Sequence, residues 1–182
     1  MLTAIPVGIV AGLLLGGRLE GLARLRFRWA PLAVAGLLVQ VVLFTPFGDG
    51  LAGDLGPAIY IASTAAVFAA VLRNLRLTGM ALAAAGALCN LVAIVANGGA
   101  MPADPGALAL AGFTGPGEHT NSVVLAEPAF RPLTDIYALP AWLPLANVFS
   151  VGDVLIGLGV GATIVVAMRR GETPTSAAVA PR

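Results

Sequence analysis

The sequence predicts an all-α integral membrane protein with five transmembrane helices, and three observations support this fold class. The mean hydropathy is +0.93, and 58% of the residues are hydrophobic. Only 10% are charged, whereas about a quarter of the residues of a typical soluble domain are charged. Five apolar runs approach or reach the roughly 20 residues that a helix needs to cross the hydrocarbon core. We therefore expect one helical bundle over residues 1–170 and a disordered tail over 171–182.

The five predicted spans lie near residues 2–17, 29–47, 56–72, 78–96 and 147–168. The first is short, and its arginines follow the apolar run, whereas a signal peptide carries its positive charges before that run. We therefore interpret it as an uncleaved span. Its Gly8, Gly12 and Gly16 recur at every fourth residue, which allows another helix to approach closely on that face.

The segments between the predicted spans differ in length and polarity. Residues 16–29 mix arginines with leucines, which predicts a short amphipathic helix at the membrane surface in contact with anionic lipid. Residues 48–57 form a glycine-rich loop, and residues 73–79 a tight turn. Residues 97–146 are too long and too polar for a simple connector. We expect this long outer loop, between helices 4 and 5, to fold back over the outer mouth of the bundle.

The positive charges predict the orientation of the chain. All positive side chains are arginines, and every one except Arg131 follows the first, third or fifth predicted span. Because short cytoplasmic segments are enriched in positive charge, the N-terminus should lie outside and the C-terminus in the cytoplasm. An arginine-only, alanine-rich composition is typical of a GC-rich bacterial genome. We therefore expect a multi-pass protein of the bacterial cytoplasmic membrane, in contact with the lipid bilayer.

The composition favours neither a metal or cofactor site nor a nucleic-acid surface. The chain has one cysteine, Cys89, and one histidine, His119, and neither has a partner at metal-ligand spacing. No glycine-rich phosphate loop and no basic face interleaved with aromatic residues is recognisable. We therefore expect no metal, no cofactor and no nucleic-acid partner.

Polar residues are predicted to share faces of the last two spans. At 100° per residue, Asn147, Ser150 and Asp153 lie on one face of the fifth helix. A face of small and polar residues on the fourth span carries Gly79, Gly86, Asn90 and Asn97. An aspartate at mid-span costs roughly 2.5–3.5 kcal/mol. Two interpretations of Asp153 remain: a helix-packing acid bonded to Asn90 or Ser150, or a functional carboxylate.

A second carboxylate, Asp135 in "LTDIY", lies 18 residues before Asp153 and on the same predicted side of the membrane. Two carboxylates held together cannot both ionise cheaply, so they share a proton. Aspartic proteases use such a pair to activate water and to polarise the scissile carbonyl. The spacing alone does not show that Asp135 and Asp153 meet.

Three sequence elements resemble lipoprotein signal peptidase, the type II signal peptidase of bacteria. They are "GALCNL" at 86–91, "LTDIY" at 133–137 and "NVFSVGDVLIGLG" at 147–159. The resemblance implies that Asp135 and Asp153 form a catalytic dyad at the outer face and that the substrate is a lipoprotein-like peptide. That family has four spans, and the Asp-Arg pair that follows its Asn-Leu is replaced here by Val92 and Ala93.

The sequence also resembles an uncharacterised family of small bacterial membrane proteins. This likeness rests on "NGGAMP" at 97–102 and on "NVFSVGDVLI" at 147–156, and it spans most of the chain. It implies a shared membrane fold without naming an activity.

Three functions are compatible with these observations. The first is a non-catalytic membrane subunit or scaffold that binds another membrane protein. The second is an aspartic membrane peptidase, in which substrate is bound or oriented beside Asp135 and Asp153 by Asn90, Asn97, Asn147 and Ser150. The third is a small transporter or proton-relay component. A single intramembrane carboxylate and the lack of an inverted repeat make this third function the poorest fit.

Overall fold

The computed structural model describes residues 4–113 and 122–170, and this part of the chain is mostly helical. The helices are α1 (Ala4–Leu14), α2 (Glu20–Ala23), α3 (Ala30–Leu43), α4 (Pro46–Ala52), α5 (Gly56–Leu72), α6 (Met80–Ala96), α7 (Pro105–Leu110) and α8 (Val151–Arg169). Short 3-10 turns lie at Gly53–Leu55 and Arg131–Leu133. The predicted helical core is confirmed. The predicted disordered tail, and His119, lie outside the described residues.

Four short strands lie among the described residues between α6 and α8. They are β1 (Met101–Pro102), β2 (Ser122–Val123), β3 (Tyr137–Leu139) and β4 (Asn147–Phe149). β1 pairs with β2 in parallel, and β3 pairs with β4 in antiparallel fashion. The rings of Tyr137 and Phe149 stack with their centroids 5.7 Å apart across the second pair. The long segment thus has hydrogen-bonded structure of its own.

The main helices pack in the spatial order α1, α8, α6, α5, α3. α6 and α8 are antiparallel, because Gly79 near the start of α6 approaches Thr163, whereas Asn90 near its end approaches Ser150. Beyond α1, the backbone N–H of Arg18 donates to the carbonyl of Met168 at 3.0 Å. We call the end of the bundle that carries residues 97–113 and 122–149 the loop end, and the opposite end the arginine end.

Small residues form the helix contacts, and large apolar residues face outward. On α1, Gly8 and Gly12 are buried against α8, whereas Val7 is 66% exposed and Leu14 is 82% exposed. On α3, Gly36 is buried against α5, while the leucines and valines around it are largely exposed. A soluble protein buries its large apolar side chains, whereas small residues at helix contacts are typical of helices packed in lipid.

Among the described residues, two helical stretches are long and apolar enough to cross a membrane. They are Pro46–Leu72, with 27 residues, and Val151–Arg169, with 19 residues. The other apolar helices, α1, α3 and α6, have 11, 14 and 17 residues. These lengths support membrane association of the chain. The crossing of all five predicted spans remains a prediction.

Two segments between the spans differ from their prediction. Residues 48–57 are largely helical rather than an open loop, because Thr45 caps α4: its Oγ1 accepts from the N–H of Gly48 at 3.0 Å. Pro46 then occupies the first turn, where its missing N–H has no consequence. The amphipathic helix expected over 16–29 is confined to α2. There Gly21 lies so close to the backbone of Ala167 that a side chain would collide with it.

Candidate functional site at the loop end

The last helix begins later than the hydropathy predicts. Residues Asn147–Phe149 pair as strand β4, and Ser150, in extended conformation, is the N-cap of α8. Asp153 is therefore the third residue of the helix, rather than an acid two turns inside it. The prediction that Asn147 shares a helix face with Ser150 and Asp153 is wrong, because β3 holds Asn147 in a strand.

Ser150 and Asp153 form a capping box, which fixes the start of α8. The Oγ of Ser150 accepts from the N–H of Asp153 at 3.1 Å, and Oδ2 of Asp153 accepts from the N–H of Ser150 at 3.0 Å. Each side chain thus bonds a backbone N–H that the first helical turn leaves without an intrahelical partner. A negative charge at this position also interacts favourably with the helix dipole.

Asn90 of α6 joins this capping box from the neighbouring helix. Its Nδ2 donates to Oδ1 of Asp153 at 3.0 Å, and its Oδ1 accepts from the Oγ of Ser150 at 2.8 Å. Ser150 and Asn90 are buried, and Asp153 is half-buried. These are the contacts expected of a helix-packing acid.

Glycines on both helices allow this close approach. A Cβ on Gly86 would collide with the carbonyl of Gly152, and a Cβ on Gly152 would collide with Oδ1 of Asn90. The predicted small face of the fourth span therefore does lie against α8. We call Asn90, Ser150 and Asp153 the α6–α8 polar cluster.

Asp135 is held by backbone pairing above the same helices. The turn Arg131–Leu133 packs on α6 and α8, and Asp135 follows it two residues later. Its N–H donates to the carbonyl of Pro102 at 2.9 Å, and its own carbonyl accepts from the N–H of Asp104 at 3.0 Å. The residue is only 4% exposed. Its position is thus fixed by β1 and the residues that follow it.

Tyr60 of α5 is a further polar residue near the two carboxylates. It is buried, and its ring makes an edge contact with Phe44 at a centroid distance of 4.8 Å. Both Asp135 and Asp153 lie within electrostatic range of its phenol. Tyr60 therefore belongs to the same end of the bundle as both predicted dyad residues. The sequence interpretation missed it. The available signal was a hydroxyl-bearing aromatic residue about one turn inside the third span.

Asn97 anchors the outer segment to α6. Its Nδ2 donates to the carbonyl of Ala129 at 3.0 Å and to that of Ala93 at 2.8 Å, and its Oδ1 accepts from the N–H of Ala129 at 2.9 Å. Gly98 and Gly99 follow with φ of +71° and +87°, a conformation that favours glycine. The Asn-Gly-Gly element thus ends α6 and binds the segment that leads to Asp135.

Asn147, the remaining predicted site residue, lies apart from the others. Asn147 is exposed on β4, and its Oδ1 accepts from the N–H of Val148 at 2.9 Å. The structure therefore brings Asn90, Ser150 and Asp153 together, binds Asn97 to the outer segment, and leaves Asn147 facing outward.

A second polar site lies on the surface of the outer segment. Asp104 is the N-cap of α7, and its Oδ1 accepts from the N–H groups of Gly106 and Ala107 at 2.9 and 3.2 Å. Its Oδ2 accepts from Nη2 of Arg131 at 3.0 Å. These bonds, above all that from Arg131, lower the pKa of the Asp104 carboxyl below its usual range. Both side chains line a cavity of about 390 Å³.

No group of three His, Cys, Asp or Glu side chains within residues 4–113 and 122–170 is arranged to hold a metal ion.

The bundle and its polar cluster define an apolar helical protein with membrane-spanning potential. The chain belongs to a family of unknown function (DUF5317), which it matches over residues 24–165. The match begins after α1 and includes both "NGGAMP" and "NVFSVGDVLI", which agrees with the expected membership of an uncharacterised family. No curated protein and no solved structure matches the chain.

Proposed function

We propose that the protein is a multi-pass protein of the bacterial cytoplasmic membrane. The helices that cross the membrane would be α1, α3, α6 and α8, together with the stretch formed by α4 and α5. The outward-facing leucines and valines of α1 and α3 support this placement, because exposed apolar side chains are stable in contact with lipid tails. The arginines support the orientation. Those described at the arginine end are Arg18, Arg24, Arg26, Arg28, Arg73, Arg76, Arg169 and Arg170. This end would face the cytoplasm, and the N-terminus and the loop end would lie outside.

Cysteine labelling tests this orientation. In a Cys89→Ala background, a membrane-impermeant maleimide should label Ala126→Cys in intact spheroplasts, because Ala126 is exposed in the outer segment. Leu75→Cys, in the turn at the arginine end, should be labelled only after permeabilisation. The reverse pattern of labelling would refute the orientation.

Within this membrane bundle, the protein acts as a non-catalytic subunit or scaffold that presents its outer segment to another membrane protein. The observation that supports this function is the α6–α8 polar cluster. Oδ1 of Asp153 and both ends of the Asn90 amide form hydrogen bonds that hold α8 to α6, and Oδ2 of Asp153 accepts from the N–H of Ser150 within the cap of α8. In a peptidase, the Asp153 carboxyl would in addition have to reach a water molecule and the scissile carbonyl. The outer segment meanwhile exposes large side chains, among them Trp142 at 80%.

The second candidate is an aspartic membrane peptidase that acts on lipoprotein-like peptides. One specific observation favours it: Asp135 is only 4% exposed, and it lies at the same end of the bundle as Asp153. A buried ionisable group near a second one is a candidate for catalysis. In that case Asp135 and Asp153 would be the dyad, and Asn90 would orient the substrate.

A cleavage assay separates the two functions. The purified protein, in lipid vesicles, is incubated with a lipidated signal peptide and compared with Asp135→Asn, Asp153→Asn and Asp49→Asn. Asp49 is exposed on α4 and serves as the matched control. A scaffold should give no cleavage in any sample. Cleavage by the wild type and by Asp49→Asn, with loss in each of the other two variants, would establish the peptidase.

Photo-crosslinking in cells tests the partner directly. A photoreactive amino acid replaces Trp142 in the outer segment or Leu38 on the outward face of α3; both positions are exposed. We expect a discrete protein adduct from position 142 and only lipid adducts from position 38. Lipid adducts alone from both positions would count against a protein partner at the outer face.

A further inference from the structure

The turn before α3 has a strained backbone at its aromatic residue. Trp29, the N-cap of α3, has φ of 59° and ψ of 28°, which is the left-handed region. A bulky residue adopts this conformation only when the surrounding structure holds it there, and such positions are frequent at binding sites. The contacts that hold Trp29 in this conformation therefore bear on the function of the turn.

A buried asparagine from the neighbouring turn fixes this conformation. Asn74 is 3% exposed, and its Oδ1 accepts from the N–H of Arg28 at 2.8 Å. Its Nδ2 donates to the carbonyl of Arg28 and to that of Ala70, both at 2.7 Å. Both backbone groups of Arg28 are thus bonded to one side chain. These bonds fix the backbone immediately before Trp29.

The result is an apolar hollow on a positively charged surface. Trp29 is 54% exposed, and with Pro31 and Leu32 it lines an open hollow of about 360 Å³. Arg24, Arg26 and Arg28 precede it in the chain, and the Asn74 contact brings the turn with Arg73 and Arg76 beside them. The one acid described at this end, Glu20, pairs with Arg18 at 3.5 Å.

We propose that this surface binds an anionic phospholipid of the cytoplasmic leaflet. Guanidinium groups bind phosphate oxygens through paired hydrogen bonds, and tryptophan favours the boundary between headgroups and acyl chains. The arginines around residue 28 would bind the lipid phosphate, and the hollow at Trp29 would receive the first part of an acyl chain. A free phosphate would leave the hollow unoccupied. The proposal rests on the membrane placement above, but not on a partner or a catalytic dyad.

Tryptophan quenching by brominated lipid tests this site. Trp142→Phe leaves Trp29 as the single tryptophan of the chain. The protein is placed in phosphatidylcholine vesicles that contain phosphatidylglycerol or phosphatidylcholine brominated on the acyl chain, at equal mole fraction. We expect the anionic lipid to quench half of the Trp29 fluorescence at a mole fraction about fivefold lower than the neutral lipid requires. A fivefold preference is about what one arginine–lipid contact contributes. In Trp29→Phe, the remaining Trp142 should be quenched equally by both lipids.

Two pairs of arginines serve as matched variants. Arg24→Gln with Arg26→Gln should remove the preference for the anionic lipid, while Arg169→Gln with Arg170→Gln, an equal loss of charge at the same end, should keep it. Equal quenching by both lipids in the Trp142→Phe protein would overturn the site. Equal effects of the two double variants would also overturn the site. Displacement of the anionic lipid by inorganic phosphate would overturn it as well. A protein that does not co-float with vesicles would instead refute the membrane placement.

Discussion

Two helices at the loop end begin with an aspartate in the cap, and their surroundings differ. At α8, Asp153 bonds Ser150 and the buried Asn90 of a neighbouring helix. At α7, Asp104 bonds two backbone N–H groups and the exposed Arg131. The same residue type at a helix start therefore serves two purposes. The first aspartate joins two helices of the bundle, and the second orders a surface segment.

This difference predicts different responses to mutation. When a buried hydrogen bond loses one partner, the remaining group stays without water, and the free energy of unfolding falls by about 1–3 kcal/mol. When an exposed ion pair is broken, water replaces the missing partner, and exposed pairs contribute little. Changes at the start of α8 should therefore affect the whole bundle, whereas changes at α7 should remain local.

The largest effect is expected from Gly152→Ala. The new Cβ would collide with Oδ1 of Asn90 and would lie 2.8 Å from the carbonyl oxygen of Gly86. Because the second contact is with backbone, α6 and α8 must move apart. We expect a loss of about 3 kcal/mol in the free energy of unfolding, measured by denaturant titration of the purified protein in micelles.

Gly161→Ala is the matched control on the same helix. Apart from the backbone of its own helix, no atom lies within 4 Å of a Cβ at this position. Alanine should therefore leave stability unchanged, or raise it by the roughly 0.5–1 kcal/mol that separates the two residues in a helix. Equal destabilisation by both variants would show that the close approach at Gly152 does not hold the bundle.

The next effect is expected from Asn90→Ala. It removes the donor to Asp153 and the acceptor for Ser150, so we expect a loss of about 1–3 kcal/mol in the same titration. Asn147→Ala is the control, because that side chain is exposed and bonds only its neighbouring N–H among the contacts of the described chain. If the two asparagine variants were equally stable, the α6–α8 polar cluster would not join the helices as argued.

Asn97→Ala should have an intermediate and local effect. Asn97 is half-buried, and the variant loses both hydrogen bonds to the backbone of Ala129. We expect the Ala129 amide to exchange its hydrogen about fivefold faster, which corresponds to about 1 kcal/mol. The amide of Asp135, bonded to Pro102, is the internal control. Unchanged exchange at Ala129 would show that Asn97 does not anchor the segment.

The sequence predicted the helices of the bundle well because hydropathy and glycine spacing report which residues can face lipid or another helix. Gly79 and Gly86 were expected on one face of the fourth span, and both lie against α8. The start of α8 could not be predicted this way. An apolar run does not distinguish a strand from a helix, and only the pairing with β3 shows that Asn147–Phe149 is extended.

The candidate site was predictable in part, for a related physical reason. Asn90 and Asp153 were singled out because polar groups in apolar spans need partners. The Thr45 cap, which makes residues 48–57 helical, is a local signal that the glycine content obscured. Tyr60 was missed because its relation to Asp135 and Asp153 depends on how α5 packs beside α6. No spacing within the sequence reports that packing.

The smallest effect is expected from acid at the start of α7. The pKa of Asp104 is lowered in the folded chain, so its stabilising contribution is complete above the ordinary value of about 3.9 and is lost as the pH falls through the lowered value. In an NMR titration, the Gly106 amide shift should report this midpoint. Arg131→Gln should move it upward, because the Arg131 hydrogen bond is the largest cause, and Arg73→Gln should not. If Arg131→Gln left the midpoint unchanged, the backbone N–H groups of the α7 cap alone would account for the lowered pKa of Asp104. The two helix starts would then differ only in burial, and not in the partner that each aspartate binds.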